Sequence, residues 1–79
     1  MLTLADIEKV GGGRKEPSGR PGCFFLNKTV TLRLKRTGKV MTVREIDVDS
    51  YYAGLFRPHE GYWWDPRDFE FVEQIPVPT

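Results

Sequence analysis

Apolar and polar side chains alternate between Thr29 and Lys35, and this pattern constrains the fold more than any other feature of the sequence. Val30, Leu32 and Leu34 fall on one face of an extended chain, and the residues between them are threonine or basic. A period of two is typical of a β-strand with one buried face. Because the chain has only 79 residues, this strand is expected in a single small domain with a modest core.

The segments that follow predict a hairpin. Gly38 separates two alternating runs and predicts a tight turn in which this glycine takes a positive φ angle. The second strand is expected from Val40 to about Asp47. Its alternation slips near Arg44 and Glu45, which indicates a bulge. A strongly bent second strand favours closure of a small barrel.

The C-terminal half predicts three more strands and one helical turn. Strands are expected at 51–56, 62–64 and 69–73, because these segments are rich in aromatic and other β-forming residues. Asp65 and Pro66 precede the last of them. They favour one turn of tight helix, capped by Asp65 and opened by Pro66.

The N-terminal segment differs in composition from the rest. Thr3 followed by Asp6 approximates a capping box, so a short amphipathic helix is predicted there, ended by Gly11. Residues 11–22 have few apolar side chains and contain two prolines, which predicts a flexible loop or linker. The expected organisation is a helix with a flexible segment over 1–22, a small β-barrel domain over 23–75 and a frayed tail over 76–79.

Three short patterns support a resemblance to a known fold type. They are Val30-x-Leu32-x-Leu34, Gly38-Lys39-Val40-Met41-Thr42-Val43 and Tyr62-Trp63-Trp64-x-x-x-Asp68-Phe69-Glu70-Phe71-Val72. With them, residues 28–73 resemble the small Src homology 3-like barrels found in many short bacteriophage-encoded and ribosome-associated proteins. The resemblance implies a mainly β, five-stranded, partly open barrel that is non-enzymatic and binds peptides, proteins or nucleic acid. It does not imply recognition of proline-rich peptides, because the acidic loop of that family is not recognisable.

The sequence offers no recognisable catalytic constellation. The glycine-rich stretch fails the phosphate-loop pattern, because Lys15 is followed by Glu16 and not by Ser or Thr. His59 stands alone in a Pro-Gly loop, and Cys23 has no histidine near it in sequence. We therefore predict that the chain is not an enzyme and has no cofactor, no metal site and no evident small-molecule substrate.

The cysteine content and the length of the apolar stretches also indicate a cellular compartment. Cys23 is the single cysteine, so an internal disulfide is excluded and a reducing compartment is expected. The longest apolar stretch, from Cys23 to Leu26, is far shorter than the roughly 20 residues that span a bilayer. The N-terminus lacks the basic start of a signal peptide. We expect a cytoplasmic protein, in the host cytoplasm if phage-encoded, with no membrane partner.

Charge is segregated along the chain, although the net charge is only +1. Between Arg14 and Lys39 there are eight basic residues and one acid, whereas from Val40 onward three arginines accompany eight acids. The spatial charge distribution depends on which strands become neighbours. Cross-strand pairing of these charges within one domain is the simplest expectation.

Two binding functions follow from these features. The first is a protein-binding module, a phage-type accessory or inhibitor protein that acts on a host protein through an aromatic patch flanked by segregated charge. Alternation places Trp63 on the face opposite its two aromatic neighbours, so at least one of these rings is expected to be exposed. The predicted partner-binding residues are Tyr62, Trp63, Trp64 and Arg57. The alternative is nucleic-acid binding by the basic first hairpin, through Arg33, Lys35, Arg36 and Lys39, extended by Arg14 and Lys15.

Overall fold

The computed structural model describes residues 1–59 and 61–72, which form a mainly β structure. Its elements are helix α1 (Leu4–Val10) and strands β1 (Arg14–Pro17), β2 (Cys23–Leu34), β3 (Val40–Asp47), β4 (Leu55–Pro58) and β5 (Phe69–Phe71), with a 3₁₀ turn (Pro66–Asp68) before β5. All strand pairings are antiparallel. Within these residues, no helix has the length and apolar character needed to cross a membrane.

The long strand β2 organises the sheet. It has 12 residues and pairs with β3 near both of its ends. Its other edge pairs with β1 in the N-terminal half and with β5 in the C-terminal half, and β4 extends the sheet beyond β3. Over the described residues the sheet is not closed. The mainly β fold with five antiparallel strands and one short helix is confirmed, although one of the five, β1, was expected to be loop and the predicted strand 62–64 is not among them.

The N-terminal helix is capped as predicted and docks on the sheet. The Thr3 side chain accepts the Asp6 N–H at 3.3 Å, and an Asp6 carboxylate oxygen accepts the Thr3 N–H at 2.9 Å. Gly11 is the C-cap, and its carbonyl accepts the Lys28 N–H of β2 at 2.8 Å. Ile7 is fully buried in the core, so burial of one helix face stabilises an element too short to persist in water alone.

Two local features of the predicted hairpin are also confirmed. Gly38 has φ 77°, and its N–H donates to the Leu34 carbonyl at 2.7 Å, which closes the turn. The β3–β4 register shifts between Val43 and Glu45. Val43 and Ile46 are both buried although they lie three positions apart, which strict alternation would forbid and a bulge allows.

The hydrophobic core lies between the sheet, α1 and the segment that leads into β5. The predicted inward face of β2 is buried, and Phe56 and Phe69 pack edge to face with ring centroids 4.9 Å apart. Trp64 packs against the same cluster. The buried apolar members are Leu2, Ile7, Leu26, Val30, Leu32, Leu34, Val43, Ile46, Phe56 and Phe69.

Three predicted boundaries differ from the structure. The predicted loop 11–22 contains β1, whose four residues are all exposed; it is held by backbone pairing to β2, which side-chain patterns do not report. The strand expected at 51–56 begins only at Leu55, because residues 51–54 form a turn. The strand expected at 62–64 contributes a single bridge, between Trp64 and Phe56.

The last predicted strand is shorter in the structure than expected. β5 ends at Phe71, and Asp65 caps the 3₁₀ turn before it by accepting the Arg67 N–H at 2.9 Å, as predicted. The expected continuation of this strand to residue 73, the end of the β domain at 75 and the frayed tail 76–79 lie outside the described residues.

Candidate functional site

Four aromatic side chains outside the hydrophobic core gather on one face of the molecule, here called the aromatic surface: Tyr51, Tyr52, Tyr62 and Trp63. Tyr51 is 94% exposed and Tyr62 83% exposed. Tyr52 stacks on Trp63 with ring centroids 5.3 Å apart and planes 12° from parallel, and Tyr51 meets Tyr52 edge to face at 5.2 Å. Such an exposed cluster of large rings is unusual for a small domain that needs apolar side chains for its core.

The turn that presents two of these rings is built around Asp47 at the end of β3. This fully buried carboxylate accepts the Asp49 N–H at 3.2 Å and the Ser50 N–H at 2.9 Å, and also the Ser50 hydroxyl. The Asp47 carbonyl accepts the Gly54 N–H at 2.8 Å. Because these bonds fix both ends of residues 47–54, the turn holds Tyr51 and Tyr52 in one place.

Cys23 belongs to the same buried network. Its thiol donates to a carboxylate oxygen of Asp47 at 3.2 Å. Burial, together with the hydrogen bond and the negative charge of Asp47, raises the pKa of Cys23 to about 11. For Asp47, burial alone would raise the pKa, but the hydrogen bonds from Ser50, Cys23 and Asp49 outweigh it, so the pKa lies below its usual value. Cys23 is therefore a buried protonated thiol at neutral pH, a poor nucleophile.

Arg57 of β4 borders the aromatic surface and is anchored from two sides. Its Nε donates to the Gly61 carbonyl at 3.3 Å, and its Nη1 lies 3.8 Å from Glu45 Oε1. Glu45 is 2% exposed and also lies 3.5 Å from Arg44 Nη2. A buried carboxylate of β3 therefore lies within ion-pair distance of the Arg57 guanidinium.

A shallow pocket joins Arg57 to the aromatic rings. It has a volume of about 320 Å³ and is lined by Arg20, Tyr52, Arg57, Gly61, Tyr62 and Trp63. Three of the four predicted partner-binding residues, namely Arg57, Tyr62 and Trp63, thus lie together at this pocket. Arg20, Tyr51 and Tyr52 were not among the predicted site residues.

Trp64, the fourth predicted partner-binding residue, lies in a different environment. It pairs with Phe56 through a backbone bridge and meets Phe69 edge to face at 5.6 Å. Its remaining surface lines a second depression, of about 440 Å³, which also involves Tyr62, His59 and Lys39. Trp63 and Trp64 have different neighbours, as alternation predicted, but Tyr62 lines both depressions. The prediction that Trp63 faces away from Tyr62 is wrong, because residues 62–64 contribute a single bridge and not a regular strand. Trp64 chiefly supports the core.

The basic residues of the alternative prediction do not form one continuous surface. Lys35, Arg36 and Lys39 are exposed at the β2–β3 turn, but Arg33 pairs with Glu70 at 2.8 Å and Arg14 pairs with Glu8 at 2.7 Å. Arg14 and Lys15 lie on β1. Arg14 is opposite Leu26, eight positions before Leu34 at the hairpin end of β2, a separation of about 26 Å along an extended strand.

Other candidate chemistry is sparse in the described residues. His59 is exposed, and its backbone N–H donates to the Thr42 carbonyl at 3.1 Å. Among residues 1–59 and 61–72, no group of three or more His, Cys, Asp or Glu side chains is placed to hold a metal ion. Comparison of the chain with protein-family models, with curated proteins and with solved structures finds no match.

The tyrosines of the turn could have been found from the sequence. Asp47, Asp49 and Ser50 are turn formers, and Gly54 bounds the segment on its other side. If these turn formers are given more weight than the β propensity of the two tyrosines, the sequence predicts an exposed turn that carries both rings. Arg20, by contrast, stands in a Gly/Pro-rich segment with no local signal for its position beside Trp63.

Proposed function

We propose that this protein is a non-catalytic protein-binding module whose contact region is the aromatic surface together with Arg57. The observation that supports the proposal most directly is the Tyr52–Trp63 stack, flanked by the exposed Tyr51 and Tyr62. Tyr, Trp and Arg are the residues most enriched at interface hot spots. Rings that already stack in the free protein lose little conformational freedom when a partner covers them.

The order of elements supports a finer proposal for the fold, a partly open barrel of the Src homology 3-like type. The 3₁₀ turn leads into β5, and β5 pairs with β2. The bridge between Trp64 and Phe56 links β4 to the segment before that turn. Barrels of this size present side chains and loops on their outer surface, which suits a binding function. A role as a phage-type accessory or inhibitor protein stays a prediction.

Nucleic-acid binding has weaker support. Lys35, Arg36 and Lys39 remain a small exposed basic cluster, but Arg33 and Arg14 are paired with acids. Single-strand binding needs a continuous basic track beside stacking rings, and the predicted cations are divided between two ends of β2. This function is therefore retained as the competing outcome of the experiment.

The experiment is affinity capture from bacterial extract with the immobilised full chain, in nuclease-treated and untreated arms. The test variant combines Tyr62→Ala with Trp63→Ala, neither of which removes a core residue. The matched control combines Lys35→Ala with Lys39→Ala at the basic turn. Circular dichroism establishes that both variants are folded.

We expect a protein partner that survives nuclease treatment, is retained by the control and is lost from the aromatic variant. Hot-spot residues typically contribute about 2 kcal/mol each, so the loss in affinity should exceed roughly thirtyfold. Capture that depends on intact nucleic acid and on Lys35 and Lys39 would contradict the proposal. Capture that is equal for wild type and the aromatic variant would contradict it as well.

A further inference from the structure

We infer that the partner segment recognised by this protein is acidic, and that one of its carboxylates binds between Arg20 and Arg57 in the pocket beside Trp63. This inference rests on the proposed protein-binding function and specifies the chemistry of the partner.

The pocket lining has a consistent electrostatic character. Among the residues that the structure describes, the charged side chains that line it are Arg20 and Arg57, and the remaining lining is aromatic apart from one glycine. Within residues 1–59 and 61–72, Arg20 makes no ion pair. Asp49 is exposed in the nearby turn but is not part of the lining. A carboxylate entering the pocket would meet two positive groups in partly apolar surroundings, where charge pairing is stronger than in bulk water.

The Arg57 guanidinium is oriented before any partner arrives. Gly61 accepts from its Nε at 3.3 Å, and Glu45 lies 3.8 Å from Nη1. Glu45 is shared with Arg44, so among the described residues one buried carboxylate serves two guanidinium groups and balances only one of their charges. A planar guanidinium with a fixed orientation favours carboxylate recognition, because less side-chain entropy is lost on binding.

The aromatic rings indicate which side chain accompanies the carboxylate in the partner segment. Trp63 and Tyr62 offer apolar surface adjoining the two arginines, with space of about 320 Å³, which suits an apolar side chain next to the acidic one. A nucleic-acid strand would require successive cations spaced along its backbone, whereas here two arginines converge on one pocket. The geometry therefore favours a short acidic protein segment over a polynucleotide.

The test is a selection of displayed random peptides, each about 12 residues long, against the immobilised full chain. A parallel selection uses the Tyr62→Ala, Trp63→Ala variant. The most enriched peptide is then synthesised with a fluorescent label, and its Kd is measured by anisotropy for wild type, for Arg20→Gln and for Arg36→Gln. Arg20 is chosen because Arg57→Gln would remove a partner of the buried Glu45. Arg36, exposed at the β2–β3 turn, is the matched control.

We expect peptides enriched on wild type to contain Asp or Glu beside an apolar residue. Arg20→Gln should weaken the Kd about tenfold, as for loss of one charged hydrogen bond, and Arg36→Gln should leave it nearly unchanged. Enriched peptides without acids, or an unchanged Kd for Arg20→Gln, would overturn this inference while leaving protein binding intact.

Two other outcomes would contradict more than the acidic character of the partner. Equal enrichment on wild type and on the aromatic variant, or none on either, would count against both this inference and the proposed function. A single-stranded oligo-dT that binds more tightly than any selected peptide and depends on Arg20 would also overturn the inference, because the pocket would then serve phosphate.

Discussion

Replacing Gly22 with alanine tests how the turn after β3 is supported. Gly22 has φ +77°, and a Cβ there would lie 2.9 Å from the Ser50 nitrogen and 2.9 Å from the Asp49 Cβ. Ordinary contact begins only at 3.4 Å, so the backbone of the turn would have to move. The Gly22 carbonyl also accepts the Val48 N–H at 2.9 Å. The two segments cannot separate without straining or losing that bond.

The size of the effect follows from three contributions. An alanine at positive φ costs about 1 kcal/mol, a contact that displaces packed neighbours costs roughly 1–3 kcal/mol, and a stiffer unfolded chain returns about 0.5 kcal/mol. Gly19 is the matched control, since it has φ +89° but no described atom within 4 Å of an added Cβ. Only the first and third contributions apply to Gly19→Ala.

We therefore expect Gly22→Ala to lower the free energy of unfolding by about 2 kcal/mol more than Gly19→Ala. For a domain of this size, that corresponds to a difference of roughly 8–16 °C in Tm. Urea and thermal unfolding, followed by far-UV circular dichroism, measure both variants against wild type. Equal losses for the two substitutions would refute the contact argument, and a loss confined to Gly19→Ala would refute the assigned packing of the turn.

Three further predictions address the buried network and the aromatic residues. Because the pKa of Cys23 is about 11 in the folded protein, against its usual 9.0, thiol labelling near pH 8 should be about a hundredfold slower in the native protein than in urea; comparable rates would contradict this. Because the folded pKa of Asp47 lies below its unfolded value of 3.8, the unfolded chain binds the extra proton on acidification, and stability should fall as the pH drops below about 5. In Asp47→Asn the urea unfolding midpoint should depend less on pH than in wild type, and an unchanged pH dependence would contradict an ionised Asp47. Trp64→Ala should cost about 3 kcal/mol of stability and Tyr62→Ala almost none, so a reversed order in urea unfolding would contradict their placement.

The alternation in β2 and the slip in β3 were the most informative sequence signals. Val30, Leu32 and Leu34 are all buried, because alternate side chains of a strand point to the same face of the sheet and this face is covered. The positive φ at Gly38 was predictable for a related reason, since a tight turn between adjacent antiparallel strands favours a residue without a Cβ. These predictions depend on local sterics and burial, which the sequence reports directly.

The strand β1 was not accessible from the sequence, and the turn that presents Tyr51 and Tyr52 was accessible only through its turn-forming residues. All four β1 residues are exposed, so the strand is held by its backbone ladder to β2, and no side-chain period marks such an edge. Tyr51 and Tyr52 have high intrinsic strand propensity, but the hydrogen bonds to Asp47 hold the chain in a turn. Tertiary and capping interactions overrode propensity there.

The charge segregation along the chain is partly cancelled in space by ion pairs between neighbouring elements. Arg33 of β2 pairs with Glu70 of β5, and Arg14 of β1 pairs with Glu8 of α1. Each pair is partly exposed, so its contribution to stability is small. Its larger consequence is for function, because pairing removes cations from the predicted basic surface and leaves three exposed basic residues at the β2–β3 turn.

The bulge in β3 links the fold to the candidate site. The register with β4 shifts between Val43 and Glu45, so Val43 and Ile46 both face the core although they lie three positions apart. From Glu45 to Asp47 the pairing with β4 is regular, so Glu45 lies on the face opposite Ile46 and is paired with Arg57. Glu45 is nevertheless buried, and a buried carboxylate without a cationic neighbour is costly, which favours an arginine at the paired position beside the aromatic surface. The register that follows the bulge therefore places Arg57 beside Glu45, and carboxylate recognition by Arg57 depends on that placement.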